Sequence, residues 1–579
     1  MPYGVKKSSA TREAIRFRRA KTELGRNHFR IAIVLFMPGR ANNQMENLTR
    51  PKLSRRKFVQ RSMMAGAATS LLPGTSQAAK TTVTKANAQA PAGPNLYEQI
   101  GVRPLINAKG TYTIISGSLS LPEVKQAMEE AGRHYVNMDE LMTAVGARLA
   151  KITGADWGIV TAGCAAAIAG ATAACIAGTD PEKSQKMPYM VKGGLKSQVI
   201  IPKHSRNPYD VGSRLLGVDI VEVETTEQLE ASMGPQTAMI YILSSPAAAT
   251  GPLSIANICQ AAKQRNIPVF VDAAAENLTI PNIHLAAGAT LVGYSGGKCM
   301  RGPQCAGLLL GRKDLVQAAW FQAAPHHNVG RSLKVGKEEI MGMLTAVEMW
   351  TKRDHDAEWN TWKTWLGAIE VKVKPLPSVT AEYLMPEDLS NHSPRLRIKW
   401  DGNALKITGD ELAKTLDAGT PRVQFDEWSG SRPDQMESSV TIMPYMMMPG
   451  DAQIVADALF ATLSHPPMFS APEIPQGAPA NVAGIWKVQM KYLCGEGGQR
   501  FLLEQQEGAV TGVHQGEIYN GNLSGKVHAQ QVSFRSVMPV GGNEIEYSFA
   551  GSVAGNSMSG TVELGEYGHA QWSATRETS

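Results

Sequence analysis

Pro268-Val269-Phe270-Val271-Asp272-Ala273-Ala274-Ala275-Glu276 and Thr290-Leu291-Val292-Gly293-Tyr294-Ser295-Gly296-Gly297-Lys298 are the stretches on which the fold turns. Each opens as a short apolar run without polar alternation, the pattern of a strand covered on both faces. The first ends in a carboxylate; the second passes through two glycines into a lysine. A carboxylate at the end of a buried strand is costly unless paired. Asp272 therefore either caps the segment that follows or meets a charged N–H. Gly296 and Gly297 permit a sharp turn that presents Lys298 at the carboxyl edge of a sheet, where ligands bind in open α/β folds. The 26 residues separating Asp272 from Lys298 accommodate one helix or loop and one strand, so the two can come from neighbouring strands.

Working outward, the same alternation continues. Strands are expected at 158–160, 199–201, 219–223, 238–243 and 306–310, with helices at 121–135, 164–176 and 255–265 among them. Apolar runs alternating with helices predict an α/β fold with a mostly parallel sheet covered on both faces. A long amphipathic helix is expected over 338–350. Strands at 379–384, 396–400, 423–428 and 440–443, with helices at 409–416 and 451–463, then describe a smaller α/β domain. From 484 onward the period is two, with Asn520-Gly521, Gly542-Asn543 and Gly555-Asn556 supplying turns. Seven strands are read there, predicting an all-β antiparallel barrel or sandwich. The resulting division is 121–335 for the large domain, 96–120 plus 336–465 for the small one, a Pro-rich linker at 466–483, and the β domain at 484–579.

The chain has 579 residues and a net charge of +7. Residues 1–61 hold sixteen Lys and Arg against three Glu, a net of +13, which leaves −6 for the rest. An acidic body lacks the electrostatic footprint of a nucleic-acid binder, and no nucleic-acid partner is expected. Ser54-Arg55-Arg56-Lys57-Phe58-Val59-Gln60 resembles a twin-arginine export signal; an apolar stretch follows, then Ser76-Gln77-Ala78 as a cleavage site. Residues 45–78 are read as that signal, 1–44 as an extension or misassigned start, and 79–95 as a linker. The expected location is periplasmic or exported, with no stable membrane anchor, because the apolar stretch is too short to span a bilayer. The six cysteines form no CxxC pair, and neither a metal nor a disulfide framework is expected.

The acid–lysine pair is the chemistry that pyridoxal 5'-phosphate requires: a lysine for the Schiff base and an acid that keeps the ring nitrogen protonated. Its phosphate needs donors, and a helix amino terminus offers free N–H groups with positive partial charge. Thr161-Ala162-Gly163-Cys164-Ala165-Ala166, after the first strand, supplies one. Ser295 is placed to add a hydroxyl. Ala274 is small enough to pack on a flat ring. His204 either stacks on that ring or is an ordinary loop histidine. Arg301 either helps lower the pKa of Lys298 or binds a substrate carboxylate, and Lys334 and Lys337 either bind a substrate anion or mark a solvated helix start.

The chain resembles the pyridoxal-phosphate enzymes of aspartate-aminotransferase fold, fold type I and class V-like, that include L-seryl-tRNA(Sec) selenium transferase (selenocysteine synthase) and D-glucosaminate-6-phosphate ammonia-lyase. The resemblance spans about 96–464 and rests on Ile106-Asn107-Ala108-Lys109-Gly110-Thr111, Thr161 to Ala167, Val271 to Glu276, Ser295 to Lys298 with Gly302-Pro303-Gln304, and Gly330 to Glu338. It implies Lys298 as the Schiff-base lysine, Asp272 as partner of the ring nitrogen, and Gly163, Cys164, Ala165 and Ser295 as the phosphate cup. It also implies α,β-elimination on an amino acid or amino-sugar acid, and at least a homodimer. The alternatives are β-replacement of the selenium-transferase kind, aminotransfer, or a catalytically degenerate envelope-binding protein.

Overall fold

The computed structural model describes residues 95–189, 194–470 and 475–577. The basic extension, the export signal and nearly all of the linker at 79–95 lie outside them. The main sheet has seven strands: β1 (Trp157–Thr161), β2 (Gln198–Pro202), β3 (Asp219–Val223), β4 (Thr237–Leu243), β5 (Val269–Asp272), β6 (Leu291–Ser295) and β7 (Gly307–Gly311). Their order is β1-β7-β6-β5-β4-β2-β3. Only β7 runs antiparallel to its neighbours, β1 and β6. The apolar runs of β4, β5 and β6 are buried almost throughout, because helices cover both faces. Phe270 is fully buried, worth about 1.5–3 kcal/mol on transfer from water.

Helix α1 (Cys164–Ala177) follows β1 and is buried at every position except Ala165 and Gly170. Its alanines leave little side-chain bulk, so the helix lies deep between the sheet and the helix Lys313–Gln322. This burial fixes where its amino terminus points, and that terminus is part of the site.

The smaller domain packs the helices His355–Val373, Gly409–Ala418 and Asp451–Ser464 on a four-stranded antiparallel sheet. The expected strand at 423–428 is two strands. Val423–Phe425 pairs in parallel with Ile106–Ala108, whereas Glu427–Ser431 pairs with Gln435–Ile442. The buried Asp426 between them divides the run, its carboxylate facing Arg395 and Tyr112. Several helices were not read from sequence, Lys313–Gln322 and the two longest among them. Met138–Thr153 is capped by Asn137, whose side chain accepts from the amides of Asp139 and Glu140; His355–Val373 is capped by Asp354.

Residues 484–576 form a closed antiparallel barrel of eight strands, each paired to the next and the last, His569–Arg576, paired to the first, Gly484–Lys491. Closure leaves no free edge. Trp486, Val488 and Met490 point inward while Lys487, Gln489 and Lys491 face water. The strand missed in the sequence is Ala509–Gln515, whose inward row is Val510, Gly512 and His514 rather than an apolar series. His514 is fully buried, with its ring nitrogens 3.1 Å from the Ser536 hydroxyl and 2.8 Å from the Gln499 carbonyl oxygen. The carbonyl can only accept, so the ring donates to it and accepts from Ser536, which is the neutral form. Burial holds this histidine down from 6.5 to about 4.

In the window between those values the unfolded chain binds a proton that the native barrel refuses, so stability falls as pH drops through it. The full loss is roughly 3 kcal/mol. Denaturant unfolding followed by tryptophan fluorescence at pH 7 and pH 4.5 is expected to show this slope, and His514→Gln to flatten it. Equal slopes in the two proteins would refute the assignment.

Candidate functional site

Asp272 closes β5, where the strand's C-terminal end faces the turn Ala273–Glu276. It is 2 % exposed. One carboxylate oxygen accepts from the Tyr241 hydroxyl at 2.7 Å; the other accepts from the Ala274 amide at 3.0 Å and the Cys164 thiol at 3.4 Å. Burial pushes this carboxyl upward, opposed by Tyr241, the Ala274 amide, Cys164 and the positive charge of Lys298. Burial, reinforced by the adjacent carboxylate, drives the Tyr241 phenol and the Cys164 thiol well above their ordinary ranges, so both stay protonated donors. A carboxylate has about four lone-pair sites, and three donors leave room for one more. A cationic N–H is the donor that would best offset the remaining cost of burial.

Lys298 follows β6 by three residues and is half-buried. Register brings the two loops together: Asp272 pairs with Gly293, the Ala273 amide donates to the Gly293 carbonyl, and the Ser295 amide donates to the Ala274 carbonyl. The two glycines before the lysine were expected to permit a sharp turn. Neither has a left-handed φ, so turn conformation is not what demands them. They are required by close approach. A side chain at Gly296 would place its first carbon 2.6 Å from the Met343 sulfur and 2.9 Å from the Ala306 carbonyl oxygen. One at Gly297 would stand 2.7 Å from the Gln304 Cα.

The α1 amino terminus lies beside this pair, since Cys164 is its first residue and touches Asp272. Gly163, the residue before it, has φ +86° and an absent side chain that would meet nothing within 4 Å. A left-handed glycine opening onto free space, below amides with no intrahelical acceptor, is a cradle for an anion. Behind it, a side chain at Gly307 would sit 2.4 Å from the Gly163 carbonyl carbon and 2.8 Å from the Cys164 amide. Both obstacles are backbone. Gly307→Ala is therefore expected to cost about 1–3 kcal/mol and to weaken any phosphate-bearing ligand at this turn. Thermal melts and phosphate-ligand titration check it.

The remaining candidates divide. His204 is half-buried and its nitrogens face the Leu253 carbonyl and the Ser205 hydroxyl, not the Asp272 network. From the same loop it is Asn207 that reaches the network, donating 2.9 Å to the Tyr241 hydroxyl oxygen. Arg301 donates through Nε to the Leu119 carbonyl, tying the 117–121 segment to the lysine loop. Ser118 and Leu121 reinforce that tie through backbone bonds to Gly297 and Arg301. Lys337 is paired with Glu338 at the start of a helix, and Lys334 is exposed. The Cys299 thiol is pushed up to about 12 by burial and donates to the Glu276 carbonyl at 2.9 Å. Thr111, from the 106–111 motif, bonds Tyr445 at 2.7 Å; Tyr445 in turn donates to Asn391, whose amide donates to the Ala275 carbonyl. That motif therefore braces the turn after Asp272. Sequence reading missed Tyr241 and Asn207. Their signal was a single tyrosine inside an apolar strand and an asparagine after a strand end.

No protein-family model matches the chain. It is 28% identical over 336 residues to D-glucosaminate-6-phosphate ammonia lyase of Salmonella typhimurium, spanning 56% of this chain and 88% of that one. It is 30% identical over 347 residues to 5'-C-glycyluridine monooxygenase-decarboxylase of a Streptomyces species, spanning 57% and 84%. A solved structure of D-glucosaminate-6-phosphate ammonia-lyase superposes with a TM-score of 0.55 at 27% identity, covering 64% of this chain and 99% of the other.

Proposed function

The chain belongs to the pyridoxal-phosphate-dependent enzymes of aspartate-aminotransferase fold that include D-glucosaminate-6-phosphate ammonia-lyase, and from that membership we propose that it catalyses α,β-elimination on an amino acid or amino-sugar acid. When bound, the coenzyme supplies an electron sink that permits cleavage of a C–H bond beside an amine. The chain's own groups do the rest. Lys298 would hold the coenzyme through its Nζ, and once the substrate amine has displaced it the freed Nζ would take the proton from the substrate carbon. Asp272 would accept the ring N–H and keep it charged, while Tyr241 and Cys164 hold that carboxylate in place. The amides of Cys164 and Ala165, the open face at Gly163 and the Ser295 hydroxyl would hold the phosphate. Ala274 would offer a small face to the ring.

The observation that carries this reading is the buried Asp272 carboxylate, with three donors and the Lys298 charge acting on it, beside an open helix terminus. The test is to add pyridoxal phosphate to purified protein, record the visible absorption band, and assay ammonia and keto acid with D-glucosaminate-6-phosphate and a panel of amino acids. A band with ammonia release on one of these substrates is the expected result. A protein that stays colourless would overturn the reading.

We propose also that the enzyme is exported and works as at least a homodimer. Ser54 to Gln60 support export, and the exposed apolar side chains Leu96, Tyr97, Ile100 and Ile114 support a covered face. A reporter fused to residues 45–95 is expected to leave the cytoplasm, and to stay there when Arg55 and Arg56 are both changed to lysine. Light scattering reads the assembly.

A further inference from the structure

The solved ammonia-lyase is covered almost whole by 64% of this chain, and the barrel is a closed sheet separate from the large domain's sheet. Its contact with the large domain is specific. Strands Gln531–Val540 and Asn543–Ala554 join through the two-residue turn Gly541-Gly542. That turn rests on the loop after β2. A side chain at Gly542 would place its first carbon 2.3 Å from the Asn207 carbonyl oxygen and 2.5 Å from the Asn207 nitrogen. One at Gly541, where φ is +60°, would be 3.0 Å from the Arg206 guanidinium. The turn therefore lies backbone against backbone on Asn207.

Asn207 is otherwise fully engaged. Its amide nitrogen donates to the Ser205 carbonyl at 2.8 Å and to the Tyr241 hydroxyl at 2.9 Å, and its oxygen accepts from the Tyr209 amide at 2.8 Å. On its other side the loop is braced by the buried Asp210, which accepts from Arg206 at 2.8 Å and from Arg214 at 2.7 Å. Because Tyr241 spends its own hydrogen on Asp272, its oxygen must accept from Asn207. The chain of bonds has one direction: Asn207 to Tyr241 to Asp272. Each donor in such a chain polarises the next.

We propose that the barrel is a positioning element of the catalytic site, its Gly541-Gly542 turn holding Asn207 so that Tyr241 keeps the Asp272 carboxylate oriented and ionised toward the coenzyme ring. The proposal rests on the coenzyme assignment above. In it Asn207 is a positioning residue that acts through Tyr241, and the barrel acts through Asn207.

The test uses the full chain. Gly542→Val lifts the turn off the loop; Gly542→Ala, the smallest step, serves if valine unfolds the barrel. Gly498→Ala is the control, because a side chain there meets nothing within 4 Å. Three readouts are taken: hydrogen exchange of the 203–215 peptide without coenzyme, coenzyme affinity by absorbance titration, and the pH midpoint of the visible band. The expected result is faster exchange, affinity weakened about 3- to 10-fold, and a midpoint moved to lower pH as the carboxylate holds the ring proton less well. Asn207→Ala is expected to do the same, and the double variant to be no worse than Asn207→Ala alone. Exchange that quickens while affinity and midpoint stay put would make the turn an anchor only and overturn the proposal. Losses that add in the double variant would overturn it too. A wild type that takes up no coenzyme defeats the function reading and this proposal together. A coloured wild type with an equally tight Gly542→Val defeats only this one.

Discussion

Lys298→Ala protein will stay colourless when pyridoxal phosphate is added, retain no coenzyme on the 298 peptide after borohydride reduction, and lose about 10³-fold or more in ammonia release. The magnitude follows from removing nucleophile and base in one step, since general base catalysis alone contributes about 10²- to 10⁴-fold. The fold will survive. Lys298 is half-buried at a loop whose geometry is set by Gly296, Gly297 and backbone bonds to Ser118, Ala306 and Gly302 rather than by the lysine side chain. Its removal should change stability by less than about 1 kcal/mol. A variant that melts normally and still fixes coenzyme at another lysine would transfer the role elsewhere.

Asp272→Asn should separate function from stability. The amide keeps the shape but not the charge: its oxygen can keep the Ala274 amide and Cys164 thiol as donors, while its N–H2 turns to the Tyr241 oxygen, which can accept. Loss of a charged partner to the ring nitrogen is expected to lower kcat about 10²-fold, in keeping with the few kcal/mol at stake for a charge-assisted bond in a buried site. Stability without coenzyme should run the other way. Burial raises the Asp272 carboxyl above its unfolded value, so across the window between the two the native state holds more protons than the unfolded chain. Stability from this group is therefore present at acid pH and lost as pH rises through the folded value. Asp272→Asn removes that dependence and should leave the coenzyme-free protein at neutral pH no less stable than wild type. Chemical denaturation with and without coenzyme reads both effects. A variant that is destabilised in the coenzyme-free form would mean that the carboxylate serves the fold.

Much of the fold was legible because it rests on local apolar pattern. Val269 to Asp272 and Leu291 to Ser295 read as strands because both faces of each are covered, and no polar residue interrupts them until the functional one. Helices Met138–Thr153 and His355–Val373 escaped notice, although their caps, Asn137 and Asp354, are of the usual kind. The strand Ala509–Gln515 escaped because its inward positions carry Gly512 and His514, and a polar histidine satisfied by two neighbours looks from sequence like a loop residue.

The site divides in the same way. Asp272, Lys298, Gly163 and Cys164 stood out in the chain because each sits at the end of a strand or the start of a helix, where residue type alone carries chemical meaning. Tyr241 and Asn207 did not, because their roles depend on partners 31 and 34 residues away and on the order in which strands lie side by side. The sequence by itself determined which residues are candidates for holding a coenzyme and that they lie at strand and helix ends, since backbone periodicity and buried charge are local properties. Only the tertiary structure decided that Gly296 and Gly297 answer to crowding rather than to turn conformation, and that a barrel turn more than 300 residues away rests on Asn207. Close packing between distant segments is a matter of ångströms, and a linear pattern does not encode it.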